Sequence, residues 1–299
     1  MRARRSLSFF CLAAVFALFV LFLYGPILTI IVLSFQGPTG GLTFPMHRVS
    51  THWFARLWSG LGVVDIWAAF GRSLRLGATV MALTVLISLP AGYAFRRGFR
   101  GATLVFYTAV ASLIVPSIVV SLGLAVEFRL LDDAVKSAAD ALGLAWLAER
   151  FTTSAGTFTS GLGAHLTWTL PFGLLIMFAV FNRFDLRYEE AARDLGATPW
   201  QTFRHVVLPM IAPSVVGIGL FGFTLSWDEV ARSSQALGSD QNTLPLELTG
   251  LTTTITNPEI YALGTVTTGV SFLVIVVSLV SIGALRRRPQ RASVADVRS

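Results

Sequence analysis

Long apolar segments alternate with short polar segments along this sequence. A bilayer core about 30 Å thick is crossed by about 20 apolar residues in a helix, and six runs meet that length. They cover residues 7–35, 71–95, 102–128, 162–184, 206–227 and 260–285. The pattern predicts an all-α, polytopic membrane protein with about six transmembrane helices. Residues 7–285 then form one membrane domain, between a short N-terminus (1–6) and a basic tail (286–299).

The first apolar run has competing interpretations, because Arg2, Arg4 and Arg5 precede it. A cleaved secretion signal has a shorter apolar core and ends at an Ala-x-Ala site, and this run has neither feature. Arg4-Arg5 also fits a twin-arginine export signal. Because five more apolar runs follow, we interpret the first run as an uncleaved membrane helix.

The basic residues are distributed unevenly between the predicted loops. Six spans place both chain ends on one side, and 15 of the 23 Lys and Arg residues then lie on that side. An excess of basic residues marks the cytoplasmic side. The sequence therefore predicts a membrane protein with both termini in the cytoplasm. Loops 36–67 and 130–160 are predicted to lie outside.

The composition agrees with a lipid environment. Hydrophobic residues make up 54% of the chain and charged residues only 13%, with a mean hydropathy of +0.69. A soluble domain is nearer one quarter charged, so these charges are too few to cover a water-soluble surface. The net charge of +7 is explained by topology, because the arginines flank apolar runs. No nucleic-acid partner is predicted.

The residues that usually carry chemistry are sparse. Cys11 is the single cysteine, so the chain cannot form an internal disulfide. The four histidines form neither a His-Glu-x-x-His pair nor a Cys/His cluster, so no metal site is predicted. Lys136, the only lysine, follows Val135 where a Walker A motif requires glycine. The chain is therefore predicted not to be an enzyme and to have no ATP site of that kind.

The connection between the fourth and fifth runs, residues 188–205, carries specific local signals. Residues 189–195 read as a short charged helix, and Gly196 is placed to end it. Thr198 is a candidate N-cap for a second helix, with Pro199 at its first position and Gln201 completing a capping box. Two short helices with a tight bend, outside the membrane, suit docking into a groove on a partner.

The spacing in this connection closely resembles the EAA loop of binding-protein-dependent ABC transport permeases. That pattern is Glu-Ala-Ala, three residues, Gly, nine residues, then Ile-x-Leu-Pro. The corresponding positions here are Glu190, Ala191, Ala192, Gly196, Val206, Leu208 and Pro209. Val206 is a conservative departure from the pattern. Glu-Ala-Ala alone is a common helix tripeptide, so the long fixed spacing carries the resemblance.

Shorter segments are similar to spermidine/putrescine permeases of the same family. These are Tyr24-Gly25-Pro26-Ile27, residues 223–230 with Ser233-Ser234, and Leu244-Pro245-Leu246. Relatives that carry iron(III), sulfate, thiamine or aminoethylphosphonate share parts of them. The resemblance thus implies a permease with polyamines as the first substrate candidate and those solutes as alternatives.

The resemblance also implies an ABC type I importer permease fold, a location in the inner (plasma) membrane of a bacterium and a set of partners. Glu190, Ala191, Ala192, Gly196, Leu208 and Pro209 would couple the chain to a dimer of ATP-binding subunits, which would hold the ATP and Mg²⁺. No cofactor is expected on this chain itself. A second permease chain, giving a heterodimer, an external or periplasmic solute-binding protein and membrane lipid complete the expected contacts.

Trp227, Asp228 and Glu229, at the end of the fifth run, are candidate substrate-pathway residues. Acidic groups at membrane depth are costly and usually face a pathway, and carboxylates suit a polycationic substrate. Alternatively, these carboxylates are solvated just outside the lipid or paired with Arg232. Trp227, Trp168 and Tyr261 can supply cation–π contacts, although aromatic residues near span ends more often form an interfacial belt.

Prolines and glycines inside the runs have two interpretations. Pro116 and Pro171 fall within predicted spans, and Gly217, Gly219 and Gly222 lie along the fifth. Small residues permit close helix packing, and neighbouring helices can satisfy the carbonyls that a proline frees. The alternative is a hinge for gating. We favour close packing.

Two other classes of function are weaker. A secondary transporter or channel would show an internal repeat or a buried ion-pair relay, and a membrane enzyme would show a nucleophile–base or metal constellation. None is evident in the sequence.

Overall fold

A computed structural model describes residues 7–60, 65–254 and 257–295, with side chains described as far as residue 283. No β-strand occurs within these ranges, apart from one isolated bridge between Gln36 and Val49. The all-α prediction is therefore confirmed. The chain divides into two compact units, Met1–Asp65 with Leu248–Val270 and Ile66–Glu247 with Ser271–Ser299. The predicted N-terminus 1–6 and the end of the tail lie outside the described residues.

The helices vary widely in length, and two π-helical turns, Thr157–Gly161 and Phe203–Val207, directly precede long helices. In chain order the helices are α1 (Leu7–Leu33), α2 (His52–Ser59), α3 (Ile66–Phe95), α4 (Ala102–Ser112), α5 (Ser117–Ala141), α6 (Ala145–Arg150), α7 (Leu162–Asn182), α8 (Arg187–Asp194), α9 (Pro199–Thr202), α10 (Leu208–Trp227), α11 (Ser233–Ala236), α12 (Leu244–Leu251) and α13 (Glu259–Ala295).

Five helical segments of the described chain are long and apolar enough to cross a membrane. They are Leu7–Leu33, Ile66–Phe95, Thr157–Asn182, Pro199–Trp227 and Glu259–Gly283. The third predicted span, 102–128, is not a single helix, because α4 and α5 meet at an angle of 105°. Pro116 stands at this break, with ψ of +132°, and so does not lie inside a continuous helix as the sequence indicated. A proline disfavours helical geometry in the residue before it, which accounts for the position of the break.

The first unit is organised around a buried glutamine and a charged pair. The side-chain oxygen of Gln36 accepts a hydrogen bond from the His47 backbone N–H at 2.7 Å, which closes the loop after α1. The Tyr261 hydroxyl, near the start of α13, donates to the Leu42 carbonyl at 2.9 Å. Arg56 of α2 lies 3.4 Å from the buried carboxylate of Glu259. Polar contacts thus connect the loop, α2 and α13 within this unit.

The core of the second unit is formed by α3, α7 and α10. Small residues let the three helices approach closely: a Cβ on Gly92 would lie 2.5 Å from the Met177 Cβ, and a Cβ on Gly77 would lie 3.1 Å from the Phe223 ring. A buried hydrogen bond of 2.9 Å from the Thr84 hydroxyl to the Thr169 hydroxyl also joins α3 to α7. In lipid, close packing and interhelical hydrogen bonds are the contacts that hold helices together.

The glycines of α10 divide between packing and open space. A Cβ on Gly222 would lie 3.3 Å from the Met81 Cα, and one on Gly219 would lie 3.4 Å from the Met81 side chain. Nothing lies within 4 Å of the corresponding position on Gly217. Close packing against α3 thus explains Gly219 and Gly222, and it does not explain Gly217.

A buried carboxylate holds the loop that precedes α7. Asp132 of α5 accepts hydrogen bonds from the Thr153 N–H at 2.7 Å, the Thr153 hydroxyl at 2.6 Å and the Ser154 N–H at 2.9 Å. Because these donors saturate much of the carboxylate, their hydrogen bonds fix the loop to α5. The loop in turn sets where α7 begins.

We predict that Gly92→Ala destabilises the protein by about 1–3 kcal/mol, because the added methyl forces α3 away from Met177. The matched control is Gly217→Ala, which adds the same methyl to open space and gains helix propensity of up to about 1 kcal/mol. The measurement is the midpoint of thermal unfolding of each purified variant in detergent. Equal midpoints for the two variants would show that the α3–α7 contact is not close-packed.

Candidate coupling segment and polar cluster

Helix α8 ends in a glycine-dependent turn. Gly196 has a φ of +85°, which is unfavourable for a residue with a side chain. The Ala197 N–H donates to the Ala192 carbonyl at 3.1 Å, and the Gly196 N–H donates to the Arg193 carbonyl at 2.8 Å. This pair of bonds is a Schellman motif. The predicted role of Gly196 in ending the helix is confirmed.

Helix α9 begins with the predicted capping box. The Gln201 N–H donates to the Thr198 hydroxyl oxygen at 3.3 Å, and the Thr198 N–H donates to the Gln201 side-chain oxygen at 2.8 Å. Pro199 occupies the first helical position, where a missing N–H costs nothing. The bend between α8 and α9 is therefore fixed by its own residues.

Residues 187–205, which include the predicted connection 188–205 and are called the segment below, lead directly into a long apolar helix. After α9 the chain makes the π-helical turn Phe203–Val207 and then enters α10 at Leu208. Pro209 lies in the first turn of α10, immediately after this π-helical turn. Because no loop intervenes, α9 and α10 are mechanically continuous.

The outer surface of the segment combines charge with uncovered apolar side chains. Glu190 and Ala191 are exposed and Ala192 is half-buried. Leu195 and Trp200 are 89% and 65% exposed. Large apolar side chains beside exposed charges on a helical bend form the type of surface that proteins use to contact a partner.

Glu189, the residue before the Glu-Ala-Ala triplet, is buried, whereas Glu190 is exposed. Glu189 is the buried residue of α8. Its carboxylate accepts two hydrogen bonds from the guanidinium of Arg96, the residue directly after α3, with N–O distances of 2.7 and 2.8 Å. Arg193 and Arg97 approach the same carboxylate at 3.8 and 3.9 Å. A two-point arginine–carboxylate contact fixes orientation as well as distance.

Aromatic rings continue this contact toward α9. The Arg96 guanidinium lies 3.4 Å from the centre of the Tyr93 ring, and Tyr93 meets Phe203 edge to face at a centroid distance of 5.1 Å. Phe203 stacks against Trp200 at 5.7 Å. The end of α3 therefore contacts both halves of the segment.

The structure separates the three candidate substrate residues. Trp227 is buried in the core, stacked on Phe223 at 5.6 Å and edge-on to Phe70 at 5.7 Å. Glu229 is half-buried and faces Arg232, with an N–O distance of 3.2 Å. The side chain of Asp228 is exposed. The pKa of its carboxyl is raised above the ordinary value, chiefly by partial desolvation and secondly by the neighbouring charge of Glu229. Only Asp228 presents an exposed side chain.

Arg232 is the centre of a buried polar cluster. Its side chain is 1% exposed, donates to the Ser117 hydroxyl at 2.8 Å and lies 4.5 Å from the centre of the Trp168 ring. The Ser121 hydroxyl donates to its backbone carbonyl at 2.6 Å. The residue thereby joins the segment after α10 to α5 and α7, and Trp168 already has a cation within the chain.

A histidine extends this cluster into α7. His165 is buried between two hydroxyls, with Nδ1 2.8 Å from Ser226 Oγ and Nε2 3.0 Å from Ser233 Oγ. The Ser233 hydroxyl donates to the Glu229 carbonyl at 2.7 Å, so its oxygen is left to accept from Nε2–H. Both ring nitrogens are used, which fixes His165 as a structural connection between α7, α10 and α11.

Several of these residues were not singled out from the sequence. From the sequence, Glu189 is only one residue of a predicted charged helix, and Arg96 is only one of the 15 basic residues on the predicted cytoplasmic side. The sequence does contain a signal for Glu189. Consecutive residues on a helix point about 100° apart, so Glu189 and Glu190 cannot both lie on the same face of α8. Arg232 was considered only as a partner for the carboxylates, and that alternative matches its contact with Glu229.

Comparison with known proteins places the chain in a family. The family described as the binding-protein-dependent transport system inner membrane component matches residues 84–294. The spermidine/putrescine transport system permease protein PotC of Escherichia coli K12 is 30% identical over 86% of this chain and 88% of its own length. The putrescine transport system permease protein PotI of the same organism is 32% identical over 83% of this chain and 82% of its own.

Solved structures show the same fold at lower sequence identity. A bacterial alginate ABC transporter in complex with its alginate-bound periplasmic protein gives a TM-score of 0.62 at 16% identity, covering 94% of both chains. The methionine transporter MetNI in an inward-facing conformation gives 0.55 at 17% identity, covering 77% of this chain and 98% of that one. These sequence matches and this fold lead to one assignment. The chain belongs to the family of inner-membrane components of binding-protein-dependent transport systems.

Proposed function

We propose that this chain is the permease subunit of an ATP-driven importer for polyamines such as spermidine and putrescine. The observation that carries the substrate class is the match over more than four-fifths of the chain to PotC and PotI. The importer would contain a dimer of ATP-hydrolysing subunits that hold ATP and Mg²⁺, a second permease chain and an external binding protein. Both termini would lie in the cytoplasm.

The bent segment 187–205 supports the contact with the ATP-hydrolysing subunits. Its Schellman turn and capping box make it a preformed knob, so little conformational entropy is lost when it docks. Glu190, Leu195 and Trp200 are exposed on it. We assign the coupling role to Glu190, Ala191, Ala192 and Gly196, with Leu208 and Pro209 carrying movement into α10.

Asp228 supports the substrate class. In the part of the chain that the structure describes, no ion pair to Asp228 is found, whereas Glu229 is paired with Arg232. A carboxylate in a partly desolvated position attracts a cation more strongly than one in bulk water. A polycation passing the end of α10 would therefore meet Asp228 before Glu229.

We predict that Asp228→Asn slows spermidine and putrescine uptake by roughly tenfold, the effect of losing about 1.4 kcal/mol of attraction. The measurement is uptake of the radiolabelled polyamines in a strain that lacks other polyamine importers and expresses the complete transporter. Asp240→Asn is the matched control, because Asp240 is also exposed and follows α10. If the wild-type system moves sulfate or a phosphonate and no polyamine, the substrate proposal fails.

We predict that Glu190→Lys leaves the chain in the membrane and abolishes ATP-driven uptake. The reversed charge lies on the exposed face of the knob, where it meets the partner without disturbing the Glu189–Arg96 contact. Co-purification of the ATP-hydrolysing subunit, measured beside uptake, separates docking from folding. Undiminished uptake by this variant would contradict the coupling assignment.

We predict that cysteines introduced by Thr43→Cys and Ser137→Cys react with an impermeant reagent in intact cells, and that one introduced by Ser299→Cys does not. Thr43 and Ser137 are exposed, and Ser299 lies outside the described residues. A Cys11→Ser background removes the native thiol. Labelling at position 299 in intact cells would overturn the assignment of the termini to the cytoplasm.

A further inference from the structure

Helix α8 contacts the end of α3, within the second unit, through an ion pair. Its buried residue is Glu189, and the side chains on its outer face, including Glu190, are exposed. The carboxylate of Glu189 is 3% exposed and the Arg96 side chain 6%. The contact between α8 and α3 is therefore an almost dry ion pair.

Stability alone does not account for such a pair. An apolar pair of similar size is often at least as stabilising in a buried position, whereas a buried ion pair imposes one specific geometry. The two N–O contacts of 2.7 and 2.8 Å restrain α8 against rotation and sliding on the end of α3. A leucine pair would allow both movements.

The other half of the segment has a softer attachment to the same place. Phe203, in the π-helical turn, touches the ring of Tyr93, and Tyr93 lies under the Arg96 guanidinium. Ring contacts restrain distance more than direction. The directional restraint on the segment therefore comes from Glu189 and Arg96.

We infer that Glu189 and Arg96 are a positioning pair that transmits movement of segment 187–205 to α3. This inference rests on the proposed coupling function of the segment. The adjacent glutamates then have separate tasks: Glu190 faces the ATP-hydrolysing partner, and Glu189 faces the membrane helices. A push received by α8 reaches α3 through the ion pair, in addition to reaching α10 through the chain.

The test compares substrate moved with ATP consumed. The complete transporter, containing wild-type chain or Glu189→Gln, is reconstituted in liposomes with its binding protein, and spermidine uptake and ATP hydrolysis are measured together. We expect Glu189→Gln to retain hydrolysis within about twofold and to lose at least about fivefold in spermidine moved per ATP. A purely structural role would lower both activities together and leave that ratio unchanged.

Charge exchange and a matched control complete the experiment. The double variant Arg96→Glu/Glu189→Arg should recover part of the lost ratio, and Arg100→Gln, which removes an exposed arginine from the same turn, should keep the wild-type ratio. If Glu189→Gln does not accumulate, Arg96→Lys decides, because it keeps the charge and loses the two-point geometry.

Distinct results separate this inference from the proposed function. The positioning role is overturned if Glu189→Gln moves as much spermidine per ATP as the wild type. If Glu189→Gln does not accumulate, the same result in Arg96→Lys overturns it. An exchanged pair that moves no more spermidine per ATP than the single variants also overturns it. Failure of the wild-type complex to move spermidine with ATP overturns the proposed function itself.

Discussion

Lipid tails are as apolar as leucine, so burying apolar side chains between membrane helices gains little over leaving them in the bilayer. The second unit shows what this constraint requires. Glycines of α3 and α10 bring backbones close enough for dispersion contacts, and the Thr84–Thr169 hydrogen bond joins α3 to α7 in the core. The arrangement of these helices depends on shape and on a few polar contacts.

Two buried arginines make polar contacts of this kind at the ends of the helices. Arg232 connects the segment after α10 with α5 and α7, and Arg96 connects α3 with α8. Each guanidinium pairs with a carboxylate and lies against an aromatic ring. Planar, weakly hydrated guanidinium groups suit such sites better than lysine would, in keeping with a chain that has 23 basic residues and one lysine.

Local chemistry made much of this structure predictable. Apolar runs of membrane length gave the all-α class, and the Gly196 turn and the Thr198–Gln201 capping box followed from residues a few positions apart. The missed features depend on distant partners. Arg96 and Glu189 are 93 residues apart, and Arg232 and Ser117 are 115 apart. No periodicity in one sequence records such contacts. The bend at Pro116 was missed because apolar composition continues across it.

That bend has a consequence for solvation. Helix α4 follows the arginine-rich turn at residues 96–100, which favours a position near the membrane surface. Its 11 residues rise only about 16 Å, roughly half of the hydrocarbon thickness. The chain therefore leaves α4 and turns by 105° at a depth where a bare carbonyl facing lipid is costly. The non-helical backbone at residues 113–116 therefore requires protein or water beside it in place of lipid, so this side of the second unit cannot be covered by acyl chains alone.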